Sequence, residues 1–496
     1  MKDKILFWIG ANYTHFCIAK FFQKKTDYEI FGIFDVTNKP RKFFQTQKIV
    51  DFKKIWFYHD AIDEVDKKPD LKFLEEFEKK YDIPLTALVF SERIFMEYNE
   101  FYRFSTDQIL RILELECRFY EKVLDEIKPN FIFMFEPYLH HEVLFFKLCK
   151  AKNIKVLELN GTRFLSQGAI GFNDELKNYE KFTPSGKIRT FNQLRKYFEE
   201  NHILKQNIDA INRSHGTTKD SILSAFQYFV LSDSNNVKTH YTYFGRNKLN
   251  VFKNYMQDIR RVKKRKKFID KKFLKNIEGG KYILFALQTE SESSLLLDAP
   301  LFTNPIDVIK KITNSMPIGY QLLVKEHPGQ ETRSWRSIET YKEIINTPGV
   351  VPIHPHLKIK EAIKKSSLVI TVSSSVALDS LFYEVPSLMF SETAFSMIPS
   401  IGKVSNVRNL AEHIKTMSKT KVEAKHLEKY IQFSEKISFE FNPLGFAQNI
   451  SDFFHFSGKL VDVDINEEQM MEFLNKEKTG LEILANEYVK KIKNNN

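Results

Sequence analysis

The stretch that decides the fold reads YQLLVKEHPGQ over residues 320–330 and VVPIHPHLKIKEAIKKSSLVITVSSSVALDSLFYEVP over residues 350–386. Three short apolar runs, YQLLVK, VVPI and LVITV, each end there in polar loop residues. Such runs, bounded by loops and interleaved with helical patterns, read as strands of a parallel sheet buried on both faces. Ligands of such sheets bind beyond the carboxyl ends of the strands. Two of these loops carry groups suited to a phosphate. Lys325, His327 and Pro328 stand where a strand meets its loop, where a cationic or donating side chain reaches an anion and the proline stiffens the turn. Ser373, Ser374 and Ser375 stand between a strand and a helix, so that hydroxyls and N–H groups of the helix start point toward an anion. Taken singly, the serines are equally a helix cap and His327 equally a surface histidine. The pair, at successive strand ends of one sheet, favours a phosphate site.

Outward from this stretch the same alternation continues. YILFAL (282–287) and SLMF (387–390) read as strands, and helical patterns fall near residues 305–314, 359–364 and 375–383. The first half repeats it with KILFWI (4–9), EIFGIF (29–34), KKIWFY (53–58), FIFMF (131–135) and IKVLEL (154–159). Between them, Ser105 followed by Gln108 opens a long amphipathic helix with apolar Ile109, Leu113, Cys117, Tyr120, Leu124 and Ile127, closed by Pro129. The expected fold is α/β, with two Rossmann-like doubly wound domains facing a cleft. Gly279 and Gly280 before a fresh strand place the expected boundary near 275. The expected division is 1–275, 276–456 and a helical tail over 457–496, with residues 165–245 showing no clear period.

At 496 residues the chain exceeds one ordinary core, and 43% hydrophobic and 14% aromatic residues exclude a disordered protein. Cys17, Cys117 and Cys149 sit in apolar helical contexts without metal-ligand spacing and read as core residues of a reducing compartment. No apolar run approaches the roughly 20 residues of a membrane span, and KILFWIGANYTHF is too short for a signal peptide, so a cytoplasmic location is expected. A net charge of +12 favours an anionic partner: nucleic acid, a nucleotide-linked substrate or a membrane surface. The densest positive run, RRVKKRKKFIDKKFLK (260–275), has three readings in descending order: a solvated interdomain helix, attraction to an anionic membrane carrying a lipid-linked acceptor, and nucleic-acid binding, which no recognised module accompanies.

The segments LQTESESS (287–294), NPIDVIKKITNSMPIGYQLLVKEHPG (304–329) and SSSVALDSLFYEVPSLMF (373–390) resemble the capsule polysaccharide biosynthesis family, which includes bacterial Kdo transferases and shares its histidine-proline and serine motifs with bacterial sialyltransferases. The likeness covers about 280–400 and weakens to a similar layout over 131–163. It implies a metal-independent GT-B glycosyltransferase, with the nucleotide-sugar donor on the second domain and the acceptor on the first. It also implies that His327, Ser373, Ser374 and Ser375 contact the phosphate of a CMP-linked sugar of Kdo or sialic-acid type. Lys325, Pro328 and Gln288 join them on the donor side. The serine loop lacks the family's usual glycine, and Glu384 stands where a glycine commonly precedes the proline, here Pro386.

Such a transferase stabilises a leaving phosphate, for which Lys325 and His327 serve, and deprotonates an acceptor hydroxyl, for which a carboxylate is needed. Glu136, closing FIFMFE, is the leading candidate and Glu290 the second. Topology puts the loops Gly10 to His15, Glu136 to His140 and Asn160 to Arg163 at the first domain's strand ends, making Asn12, His15 and Arg163 acceptor-side candidates. His140 and His141 lack partners at metal-ligand spacing and read as packing, while His354 and His356 form a second His-Pro loop, within reach of a nucleotide base or simply a turn. The expected partners are a nucleotide-sugar donor and a saccharide or lipid-linked saccharide acceptor, without nucleic acid, cofactor or metal. Two alternatives stay open: a polyol-phosphate transferase using a CDP-linked donor, and a non-catalytic nucleotide-sugar-binding assembly protein.

Overall fold

A computed structural model describes residues 3–62, 64–96, 99–164, 167–201, 217–232, 241–290 and 292–495. The first sheet comprises β1 (Lys4–Ile9), β2 (Glu29–Phe34), β3 (Phe52–Phe57), β4 (Phe131–Phe135), β5 (Lys155–Gly161) and β6 (Gly168–Ile170). The second comprises β7 (Tyr282–Ala286), β8 (Gln321–Lys325), β9 (Val350–Ile353), β10 (Ser366–Thr371), β11 (Ser387–Met389) and β12 (Ile401–Lys403). Their orders are β3-β2-β1-β4-β5-β6 and, read from the other edge, β9-β8-β7-β10-β11-β12. Each is the doubly wound order, which reverses between its first and fourth strands. All pairings are parallel except β5 with β6.

The strands form where apolar runs are continuous because both sheet faces are covered. In β1, Ile5, Phe7 and Ile9 enter one core, while Trp8 packs on the opposite face against Tyr58, Tyr120, His141 and Phe145. The helix Thr106–Ile127 opens with a capping box in which Ser105 and Gln108 satisfy each other's backbone N–H, and it ends at Lys128 with φ 53° before Pro129. All six apolar positions of its sequence pattern are buried. The three cysteines are free and buried.

Two compact units result. One comprises residues 1–177, 201–251 and 434–496, the other 178–200 and 252–433. The division therefore falls inside the helix Lys248–Lys272, ahead of the expected 275. The reason is packing: Ile269 and Phe273 belong to the second sheet's core, Arg265 donates to the carbonyls of Ser334 and Trp335 at 2.8 Å each, and the Leu274 N–H bonds Pro352 O at 3.0 Å. The basic run is thus docked on the second unit along one side. Residues 178–200 join that unit through the Arg189–Glu428 pair at 2.7 Å and the stacking of Phe198 on Phe382, with centroids 4.2 Å apart. The C-terminal helices are part of the first unit: Met470, Phe473, Leu481, Leu484 and Tyr488 lie in its core, and Tyr488 stacks on Phe133 at 4.1 Å. No helix among the described residues is long and apolar enough to cross a membrane.

Candidate functional site

At the carboxyl edge of the second sheet the register places Ala286 beside Lys325 and Lys325 beside Ile353, so the loops after β7, β8 and β9 leave at one level. Phe285 pairs with Ile370, which brings the residues after β7 and β10 together at the switch point. There the Gln288 amide clamps Ser373: its Nε2 donates to the Ser373 hydroxyl at 2.6 Å, and its Oε1 accepts from the Ser373 N–H at 2.9 Å. The Ser373 hydroxyl keeps its own proton to donate. Ser374 and Ser375 are half-buried just ahead of the helix Val376–Leu381.

His327 begins the turn Pro328–Arg333, and its Nδ1 accepts from the Gly329 N–H at 3.0 Å. The imidazole proton therefore sits on Nε2, which makes that atom a donor. Burial lowers the pKa of His327, with Glu292 and Glu326 opposing in part, so the ring is neutral at pH 7. A β-carbon at Gly329 would lie 2.9 Å from His327 Nδ1, so only glycine fits beside the ring. His354-Pro355-His356 folds the same way, its Nδ1 accepting from the His356 N–H at 3.3 Å, but His354 Nε2 is taken by Asp270 at 3.0 Å. Of the two His-Pro turns, the one at His327 presents the ring.

A buried ionic network fixes this turn. Glu326 accepts from Arg336 Nε at 2.8 Å, from the Tyr341 hydroxyl at 3.0 Å and from the His327 N–H at 2.8 Å. Arg336 also pairs with Glu290 at 3.1 Å and donates to the Gln288 carbonyl. Burial opposes the guanidinium's charge, but Glu326 and Glu290 outweigh it and its pKa is raised. Glu290 is further tied to Gln330 by two 3.2 Å bonds, its N–H donating to Gln330 Oε1 and its carboxylate accepting from Gln330 Nε2, so this residue holds the loop together. Lys325 departs from its expected role. Its ammonium is buried and donates to Pro355 O at 2.6 Å, strapping β8 to the loop after β9, and burial lowers its pKa to about 8. The cause is alternation along β8, which turns Lys325 to the same face as Leu323, into the sheet's packing.

The first sheet places its candidates less uniformly. Glu136 follows β4 and is half-buried; burial raises its pKa, while a hydrogen bond from Asn173 and the charge of exposed Arg163 oppose the shift. Asn12 lies in the turn ahead of the helix Thr14–Phe22, its Oδ1 accepting from the Thr14 N–H at 3.2 Å. His15 is not at the edge. It is buried in the core, its Nε2 3.1 Å from the Tyr488 hydroxyl, and burial lowers its pKa to about 3. The helix Thr14–Phe22 turns this side chain inward onto the C-terminal helix Lys478–Asn495. His140 and His141 are likewise interior, but in polar company. His140 bridges Glu92 at 3.0 Å and Glu116 at 2.9 Å, and His141 bonds Asp35 at 3.1 Å. Among the described residues no group of three or more His, Cys, Asp or Glu is arranged to hold a metal ion.

The model of the family described as "Capsule polysaccharide biosynthesis protein" matches residues 178–431, just over half the chain. The chain belongs to this family. The match encloses the whole second unit apart from its last two residues, and with it the His327 turn and the serine loop. No curated protein matches this capsule polysaccharide biosynthesis family member. Solved structures align over much of its length at low scores. They include UDP-GlcNAc 2-epimerase from Methanocaldococcus jannaschii (13% identity, 86% of this chain and 98% of that one, TM-score 0.25). KpsC of Thermosulfurimonas dismutans, a beta Kdo 2,7 transferase, aligns at 12% identity over 63% of this chain and 78% of that one, with TM-score 0.29. The N-terminal domain of Candida albicans trehalose-6-phosphate phosphatase aligns at 10% identity over 91% and 96%, with TM-score 0.30. Scores this low decide nothing about the chain's chemistry.

Sequence reasoning missed Glu326 and Arg336, the charges that fix the His327 turn. Glu326 was in view between Lys325 and His327. A carboxylate at the inner end of a buried strand demands a partner, and Arg333 and Arg336 in TRSWRS were the candidates on the loop that follows.

Proposed function

We propose that this chain is a glycosyltransferase of capsular polysaccharide or glycolipid biosynthesis, transferring an acidic sugar of Kdo or sialic-acid type from a CMP-activated donor to a saccharide acceptor. The observation that carries the reading is the His327 turn: a neutral imidazole with its proton on Nε2, held by Gly329 and Glu326 beside the Gln288–Ser373 clamp at a sheet switch point. In this reading His327 Nε2 and the hydroxyls of Ser373, Ser374 and Ser375 donate to the donor phosphate, on which charge grows as the glycosidic bond breaks. No metal is assigned a role. Glu136, its pKa raised by burial, takes the acceptor proton. Glu290 is the weaker base, because its carboxylate is engaged by Arg336 and Gln330. Lysines along the helix Lys248–Lys272 attract an anionic surface bearing a lipid-linked acceptor.

A thermal-shift panel of CMP, CDP, UDP and GDP tests the donor. A ligand that binds only the folded form raises the melting temperature, by about 2.7 kcal/mol of stability at 100 times its Kd. CMP is expected to stabilise most. Preference for CDP would favour the polyol-phosphate alternative, stabilisation by UDP alone would remove the cytidine assignment, and silence from all four would remove the donor site.

A further inference from the structure

In the first sheet, Ile9 pairs with Phe34, Phe7 with Phe133 and Phe135 with Leu159. The next residue on each strand is therefore level with its neighbours: Asp35, Gly10, Glu136 and Asn160 form a row across the carboxyl edge, with the switch point between Gly10 and Glu136. Ile5, Phe7, Ile9, Phe34, Phe133 and Leu159 point to one core. By alternation the four row residues share the opposite face.

Three features distinguish this row. A β-carbon built on Gly10 meets no heavy atom within 4 Å, so the centre of the row is open. Asn160 is 5% exposed, and neither its Oδ1 nor its Nδ2 has a hydrogen-bond partner among the described residues. A buried amide left unpaired costs about 1–3 kcal/mol per group, which a fold retains where something else supplies the bonds. The neighbouring groups are acidic: Glu136 beside Asn160, Glu158 one step behind it, and Asp35 across Gly10, held by His141 at 3.1 Å and His59 at 3.6 Å. Asn173 bonds Glu158 at 3.5 Å and also Glu136, and burial raises the Glu158 pKa to about 7. Tyr138, half exposed on the same loop, offers a ring face.

An amide offering one acceptor and two donors, flanked by carboxylates that accept from hydroxyls, suits a vicinal diol, and an exposed tyrosine ring suits the apolar face of a pyranose. With Asp35 paired to His141 and Glu158 partly ionised near neutral pH, Glu136 and Glu158 still outnumber Arg163 and disfavour a carboxylate or phosphate. We propose that this row binds a neutral, hydroxyl-rich pyranose of the acceptor, with Asn160 reading a hydroxyl pair beside Glu136 and the rest of the sugar lying toward the open position at Gly10. This assignment rests on the glycosyltransferase reading.

The test is saturation-transfer NMR on the full chain with methyl glucoside, methyl galactoside, methyl N-acetylglucosaminide and methyl glucuronide, with CMP stabilisation measured on the same samples. At least one neutral glycoside is expected to receive saturation and methyl glucuronide to receive several-fold less. Asn160→Ala is expected to abolish the neutral signal while melting no lower than wild type, because it removes an unsatisfied amide; a purely structural asparagine would lower the melting temperature. Equal or stronger transfer to the glucuronide, or an unchanged signal in N160A, overturns the proposal. If no glycoside binds while CMP still stabilises, this inference fails and the donor reading stands; if CMP fails too, both fall.

Discussion

The two sheets share one strand order, yet their switch points are built from opposite materials. Between β7 and β10 the position is filled by the Gln288–Ser373 clamp, backed by the Glu326–Arg336–Glu290 network and a neutral histidine donor. Between β1 and β4 it is left open by Gly10 and rimmed by Glu136 and Asn160, with the buried charges of Glu92, His140 and Glu116 set further back. A donor-rich edge suits an anion, whereas an acceptor-rich edge suits hydroxyls. One topology thus presents two different edge chemistries according to which side chains follow the strands.

The largest expected effect breaks the donor edge. Arg336→Met leaves Glu326 buried without its cation and is expected to cost about 3–5 kcal/mol in denaturant unfolding; a loss below about 1 kcal/mol would show that the network does not hold the edge. On the other sheet the corresponding charge titrates. Burial lowers the His140 pKa, but Glu116 and Glu92 outweigh it and hold it at about 9, above its ordinary value. A raised folded-state pKa contributes stability that is full below about pH 6.5 and is lost as pH rises through about 9. Melting temperatures over pH 6–10 for wild type and His140→Gln are therefore expected to converge on the alkaline side, and a constant gap would contradict the assignment. The smallest effect sharpens the donor edge. Lys325→Met is expected to change CMP affinity by less than about twofold, because its ammonium faces Pro355 O, and to leave stability within about 1 kcal/mol, since the cost of burying charge offsets the lost bond. A tenfold loss of CMP affinity would restore Lys325 as a phosphate ligand.

Much of this contrast was legible in the chain. FIFMF, YILFAL and VVPI announce strands because a parallel sheet is covered on both faces, and Ser105 with Gln108 announces a helix start because the capping box is local. The short strands β6 and β12 were not legible, since three residues at a sheet edge leave no period. Nor was the chain's passage at 178–200 into the second unit, which depends on contacts such as Arg189 with Glu428, far apart in sequence. Topology located the strand end ahead of His15 but not that His15 stands in the first turn of a helix, whose phase sends its side chain into the core. The donor edge was readable because its residues cluster in two short motifs. The acceptor edge was faint because its row takes one residue from each of four strands.

The central claim is that the His327 ring, not merely its turn, holds the donor phosphate. His327→Asn tests it, because an asparagine carbonyl accepts the Gly329 N–H in the same tight turn while the Nε2 donor is lost. Isothermal titration of CMP into wild type and H327N is expected to show affinity reduced about tenfold, near 1.4 kcal/mol, at an unchanged melting temperature. Equal CMP affinity in the two proteins would contradict the account.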